Sequence, residues 1–104
     1  MKFNVNQQDL QQALSYCQGV IEKRSTLPIL SNVLIEAKNK ILSLTATDLD
    51  LIFVNKILNV EIMEEGKTTT SSSIMYDIVR KISSGKKINF SKDGDAKISL
   101  ESEN

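Results

Sequence analysis

The sequence predicts an α+β fold of two βαβββ units, with both helices on one side of the sheets and the second unit truncated. Two segments, from Gln7 to Gln18 and from Ile74 to Ser83, carry apolar residues at the helical period. The segments around them alternate apolar and polar residues, as half-buried strands do. The order strand–helix–strand–strand–strand therefore occurs once in full and a second time without its last strand.

The first unit opens with a strand in which Met1, Phe3 and Val5 face one side. Asn6 is a suitable N-cap for the helix that follows, which we expect to end near Gly19. The apolar face of this helix consists of Leu10, Ala13, Leu14 and Cys17, followed by Val20 and Ile21. The opposite face is polar but uncharged and carries Gln11, Gln12, Ser15 and Gln18.

An exposed basic loop is expected at Lys23 and Arg24, because a loop offers no apolar surface that could cover two charges. Pro28 disfavours helix at Leu27 and cannot donate to a sheet ladder, so it suits the first residue of a strand. We expect Leu27 or Ile29 to be buried under the first helix. The remaining strands of this unit are predicted over Ile29–Lys38, Ile41–Thr47 and Leu51–Ile62, with a tight turn at Asn39-Lys40.

The second unit starts with a short strand, Lys67–Thr70, and its helix has N-caps available in Ser71-Ser72-Ser73. Two strands, Lys86–Lys92 and Ala96–Glu101, follow the helix. The core face predicted for this helix consists of Met75, Ile78, Val79 and Ile82. The opposite face carries Ser73, Tyr76, Asp77 and Arg80, with Ile74 as an additional apolar edge.

The composition predicts one soluble globular domain, since 104 residues with 40% hydrophobic and 25% charged content can form a modest core. Acidic and basic residues number 13 each, so any nucleic-acid binding depends on charge placed on one face. The absence of histidine removes the commonest general base and metal ligand. Cys17 is the single cysteine, so no internal disulfide can form, which agrees with a reducing cytoplasm. We expect its side chain to be buried as a small hydrophobic group. No apolar run approaches the ~20 residues of a membrane span.

Two sequence strings then point to a family. Thr26-Leu27-Pro28-Ile29-Leu30 and Leu42-Ser43-Leu44-Thr45-Ala46-Thr47-Asp48-Leu49 resemble the first domain of the bacterial DNA polymerase III beta subunits, the sliding clamps. The resemblance runs from Met1 to Glu101 without an evident gap. It implies a DNA-clamp domain of a ring in which sheets lie outside and helices line a channel around duplex DNA.

The resemblance also implies a function and a set of partners. A clamp is a non-catalytic processivity factor without a cofactor, which encircles double-stranded DNA and tethers the replicative polymerase. A second clamp protomer would close the ring head to tail, and polymerase and clamp loader would bind the C-terminal domains. Residues 1–104 would form a single N-terminal domain lacking its final strand, with the remaining clamp domains absent, so we expect this piece alone not to close a ring.

The resemblance assigns candidate DNA contacts. Arg24 matches the family arginine that precedes the Thr-Leu-Pro motif and contacts DNA, and Arg80 suits the inner wall of a channel. Lys23 and Lys81 are adjacent candidates, with solubilising surface charge as the alternative for all four. The uncharged face of the first helix suits a surface that slides past phosphates, although chance composition explains it equally well.

The same resemblance makes Ile74 and Ile78 candidates for the protomer interface. Family members often carry basic residues where this chain has Ser73 and Ile74, so ion pairs at that interface are in doubt here.

Two other functions remain open on the sequence. A small interaction module could form oligomers through its sheet edges without binding DNA. An enzyme could use Asp48 and Asp50 to hold a divalent metal, although aspartates at such a turn commonly bond their own backbone. No nucleophile with an adjacent base is evident.

Overall fold

The computed structural model of the chain describes residues 1–24, 32–47, 51–94 and 97–103, apart from the side chains of residues 20–24 and 103. The elements within these residues are β1 (Lys2–Asn6), α1 (Gln7–Arg24), β2 (Asn32–Lys38), β3 (Ile41–Thr47), β4 (Ile52–Ile57), β5 (Val60–Glu64), β6 (Gly66–Ser71), α2 (Ser72–Arg80), β7 (Lys87–Lys92) and β8 (Ile98–Glu103). This order confirms the predicted α+β class and its repeated pattern.

The strands form two antiparallel sheets of four, with the orders β5-β1-β7-β8 and β4-β3-β2-β6. The two units exchange their first strands. β1 pairs with β7 of the second unit, placing Phe3 opposite Phe90, and β6 pairs with β2 of the first unit, placing Thr70 opposite Val33. Because neither unit completes a sheet by itself, the two fold as one domain.

The prediction of one long strand over Leu51–Ile62 is wrong. The chain leaves the ladder at Leu58 and Asn59, and the two halves join different sheets, β4 beside β3 and β5 beside β1. Apolar residues continue on both sides of the break, which favoured a single strand, but the inward-facing apolar residues shift from Phe53 and Ile57 in β4 to Val60 and Ile62 in β5. The predicted turn between β2 and β3 is confirmed, with Asn39 and Lys40 at φ of 54° and 65°, as a two-residue hairpin requires.

Helix α1 is longer than predicted, since it continues through Gly19 to Arg24. A glycine inside a helix costs only about 1 kcal/mol, so Gly19 alone does not end it. Lys23 and Arg24 therefore belong to the last helical turn, and the prediction that they form a loop is wrong. The predictions for Leu27, Pro28 and Ile29 lie outside the described residues.

Helix α2 begins two residues earlier than predicted and ends three residues earlier. The Ser71 side chain is the N-cap and accepts a hydrogen bond from the backbone N–H of Ile74 at 3.3 Å, which confirms the capping role of the serines. At the other end the N–H of Lys81 donates to the Ile78 carbonyl at 3.2 Å, and the N–H of Ile82 donates to the Val79 carbonyl at 3.1 Å. The helix is thus capped at both ends by its own sequence.

The core lies between the helices and the inner faces of the sheets. Phe3 and Phe90 are fully buried and their rings stack, with centroids 4.6 Å apart and an interplanar angle of 12°. The predicted apolar face of α1 is confirmed at Leu10, Ala13, Leu14 and Cys17, which are all buried, while the side chains of Val20 and Ile21 lie outside the described residues. The other buried apolar residues are Met1, Val5, Val33, Ile35, Ala37, Leu42, Leu44, Ala46, Ile57, Met75, Val79 and Ile88.

Candidate nucleic-acid interface

The two helices lie side by side and run antiparallel. The Gln8 amide donates to the Ser84 hydroxyl at 2.7 Å, just past the end of α2. At the other end the Gln18 amide donates to the Ser73 hydroxyl at 3.3 Å. The start of α1 therefore lies beside the end of α2, and the pair forms a two-helix layer.

Two glutamines connect the helices of this layer. The exposed position predicted for Gln18 is wrong, and no role was predicted for Gln7. Gln18 was predicted on the exposed face but is only 8% exposed. Gln7 is 1% exposed, and its Nε2 donates to the Val79 carbonyl at 2.9 Å and to Gln11 Oε1 at 2.7 Å. The spacing could have revealed both, because Gln7 precedes Leu10 by three residues and Gln18 follows Leu14 by four.

A polar groove of ≈550 Å³ follows the seam between the helices. Its lining consists of Gln7, Gln8, Asp9, Gln11, Gln12, Ser15, Tyr76 and Ser84. The lining contains one acid and no base, and most of the amides are held in hydrogen bonds, including one from Gln12 to the Tyr16 hydroxyl at 3.1 Å. This surface offers neutral polar groups in fixed positions.

The cations lie at the borders of the layer. Arg80 is half exposed on α2, donates to Asp77 Oδ1 at 3.2 Å, and lies 5.7 Å from the centre of the Tyr76 ring. Lys81, the C-cap of α2, is exposed beside it. Lys23 and Arg24 occupy the last turn of α1, and their side chains lie outside the described residues. Since α1 has 18 residues and rises 1.5 Å per residue, its two ends are about 25 Å apart, and the two pairs of cations are not brought together.

A second, apolar groove of ≈360 Å³ lies between α2 and β8. Its lining consists of Thr70, Ile74, Met75, Ile78, Ile98 and Leu100. Ile74 is 61% exposed, and Ile78, which the sequence placed in the core face, is 44% exposed. The helix is apolar over a wider arc than its core requires, because Met75 and Val79 are its only buried apolar residues. The candidate interface residues thus lie together, beside β8 at the edge of its sheet.

The described residues offer little material for catalysis. Among them no group of three or more His, Cys, Asp or Glu side chains could hold a metal ion, and no helix is long and apolar enough to cross a membrane. Asp48 and Asp50 lie outside the description, so the metal hypothesis for them stays untested. Cys17 is fully buried, and burial raises the pKa of its thiol to about 11.

The buried thiol gives a direct test of the core. We expect a thiol reagent such as DTNB at pH 8 to react with Cys17 in the folded protein at least about a hundredfold more slowly than in urea, because labelling requires local opening and a thiolate. The absorbance of the released thionitrobenzoate measures both rates. Equal rates in the two solvents would contradict the burial of this side chain.

Known proteins share this architecture. The sequence model of the family described as DNA polymerase III beta subunit, N-terminal domain, matches residues 1–104. The beta sliding clamp of Caulobacter vibrioides strain NA1000 is 38% identical over 95 residues, which cover 91% of this chain and 25% of that protein. The beta sliding clamp of Escherichia coli strain K12 is 38% identical over 88 residues, covering 85% and 24% respectively. The chain therefore spans about a quarter of the length of these curated relatives.

The three-dimensional likeness extends over the whole chain. The crystal structure of the DNA polymerase sliding clamp from Caulobacter crescentus superposes with a TM-score of 0.89 at 34% identity, covering 100% of this chain and 28% of that one. Sequence and fold thus agree along the full length, and the resemblance seen in the two sequence strings is confirmed. The chain belongs to the family of DNA polymerase III beta subunits and matches its N-terminal domain.

Proposed function

We propose that this chain is the N-terminal domain of a DNA sliding clamp, a non-catalytic processivity factor that encircles duplex DNA in the cytoplasm and tethers the replicative polymerase. The observation that carries the proposal is the two-helix layer, with an amide-lined groove along its seam that contains no base, and with the exposed Arg80 beside it. The ring itself is inferred from membership in the family.

The chemistry of this layer suits a duplex that must move. Phosphate contacts from a few cations attract DNA without reading its sequence, whereas base-edge contacts would halt it. The glutamine amides of α1 that line the groove are engaged in hydrogen bonds within the protein, which leaves them less free to bond base edges. The helix layer therefore favours weak, sequence-independent contact with the sugar-phosphate backbone of DNA.

Two exposed apolar surfaces suit assembly into a ring, in which each domain needs two joining surfaces. One surface consists of Ile52 and Val54 on β4, and the other of Ile74 and Ile78 on α2. We propose that the second protomer covers Ile74 and Ile78, and that polymerase and clamp loader bind parts of the full-length protein beyond this domain.

Retention on DNA of different topology tests the proposal. Full-length protein should stay on a nicked circular duplex after loading and leave when a restriction enzyme cuts the circle, as gel filtration of labelled protein would reveal. Loss from circles and linear DNA at the same rate would overturn the clamp function. If the protein formed oligomers but never remained on circles, the protein-interaction module would be the better description.

Arg24 should contribute one of the phosphate contacts. In the full-length protein Arg24→Ala should weaken binding to a primed duplex at low salt and flatten the plot of log K against log salt by about one unit. Sequence preference should not change, since none is expected. Lys67→Ala, which removes an exposed charge from strand β6, is the matched control. An unchanged slope for Arg24→Ala in a fluorescence titration would remove Arg24 from the contact surface.

A further inference from the structure

We infer that Asp77 restrains Arg80 and thereby limits how firmly the helix layer grips DNA. The inference rests on the proposed clamp function and assigns a role to a residue that touches no DNA itself. Asp77 would act as an internal competitor, occupying the guanidinium that a phosphate would otherwise engage.

The geometry places the restraint at the surface where DNA would pass. Arg80 and Asp77 are one helical turn apart on α2, with Nη2 and Oδ1 separated by 3.2 Å. Their side chains are 52% and 56% exposed, so solvent and a passing phosphate can reach both. The guanidinium also lies over the ring of Tyr76, which lines the polar groove between the helices. Arg80 is therefore held beside the groove by two neighbours.

The charges around Arg80 determine how a phosphate can approach it. The side chains that line the groove include Asp9 but no base, and the nearest other cation in sequence, Lys81, carries no such restraint among the described residues. A phosphate approaching Arg80 must displace the Asp77 carboxylate or share the guanidinium with it while the carboxylate repels it. An exposed ion pair of this kind is weak and screened by salt, so it lowers the attraction without abolishing it. Easy exchange between phosphates is what a sliding contact needs.

The test is a double-mutant cycle in the full-length protein, with affinity for a primed duplex measured as a function of salt. Asp77→Asn should tighten binding at low salt about two- to fivefold, the range expected for releasing an exposed pair, and should steepen the salt dependence. Single-molecule tracking should show slower diffusion of the loaded variant. In the Arg80→Gln background the same substitution should lose most of this gain, because the two residues act as a pair.

The control is Glu61→Gln, which removes the same charge from the exposed face of β5. It should leave affinity and diffusion nearly unchanged, and thermal melting should show that all variants fold. An equal gain from Glu61→Gln, an equal gain in the Arg80→Gln background, or no gain from Asp77→Asn would overturn the inference while leaving the clamp function intact. Failure of the unmutated protein to stay on circular DNA would overturn the proposed function, and this inference with it.

Discussion

Replacing Phe90 with alanine should lower the free energy of unfolding by about 3–5 kcal/mol, the usual cost of removing a buried aromatic side chain. Phe90 is fully buried and stacks on Phe3, which is also fully buried. The substitution removes apolar contact and leaves Phe3 beside a cavity that the surrounding strands cannot easily fill. Since native domains are stable by only about 5–15 kcal/mol, the variant should retain a small fraction of the original stability.

Urea denaturation followed by circular dichroism measures this loss. Tyr16→Ala is the matched control, because Tyr16 is 51% exposed and meets Phe53 only edge-on, at a centroid distance of 6.3 Å. We expect that control to cost less than about 1.5 kcal/mol. A loss for Phe90→Ala no larger than that of Tyr16→Ala would contradict the stacked core.

The strands that carry Phe3 and Phe90 illustrate how much of the fold could be predicted from the sequence. Alternation identified the strands that carry Phe3 and Phe90, because period-two burial is a local property. It could not show that β1 crosses to the other unit's sheet, or that Leu51–Ile62 divides between two sheets, since pairing is decided by contacts between residues far apart in the chain. The order of elements was therefore predictable, but their partners were not.

The candidate site could also be predicted only in part. The exposure of Arg80 and the polar face of α1 followed from helical spacing, and the structure confirms them except at Gln18, which is buried. The same spacing places Gln7 and Gln18 beside the apolar face, but it could not identify their hydrogen-bond partners, because the second helix and its N-terminal end supply them. Asp77 and Arg80 share the predicted polar face three residues apart, a spacing that favours an ion pair, and the structure contains it.

Replacing Ile78 with aspartate should dissociate the ring of the full-length protein, raising the dissociation constant of its protomers at least about thirtyfold, as expected for a central interface residue. Ile78 is 44% exposed in this domain and lies on the apolar groove between α2 and β8. If the partner covers this groove, a carboxylate there loses its water without gaining a cation, which is strongly unfavourable. Folding of the domain itself should change little, since the side chain is not part of the core.

Sedimentation equilibrium of the full-length variants measures the association. Met63→Asp is the matched control, since Met63 is 48% exposed on β5 and lines a different pocket, one formed mostly by polar residues. It introduces the same charge at similar exposure, so it should leave the dimer intact. Dimers of equal stability in both variants would place the protomer interface elsewhere. The two side chains have similar exposure, so only a local contact with the partner can make their substitutions differ. Weakening of the dimer by both variants would therefore show that added negative charge, and not the apolar groove, controls assembly.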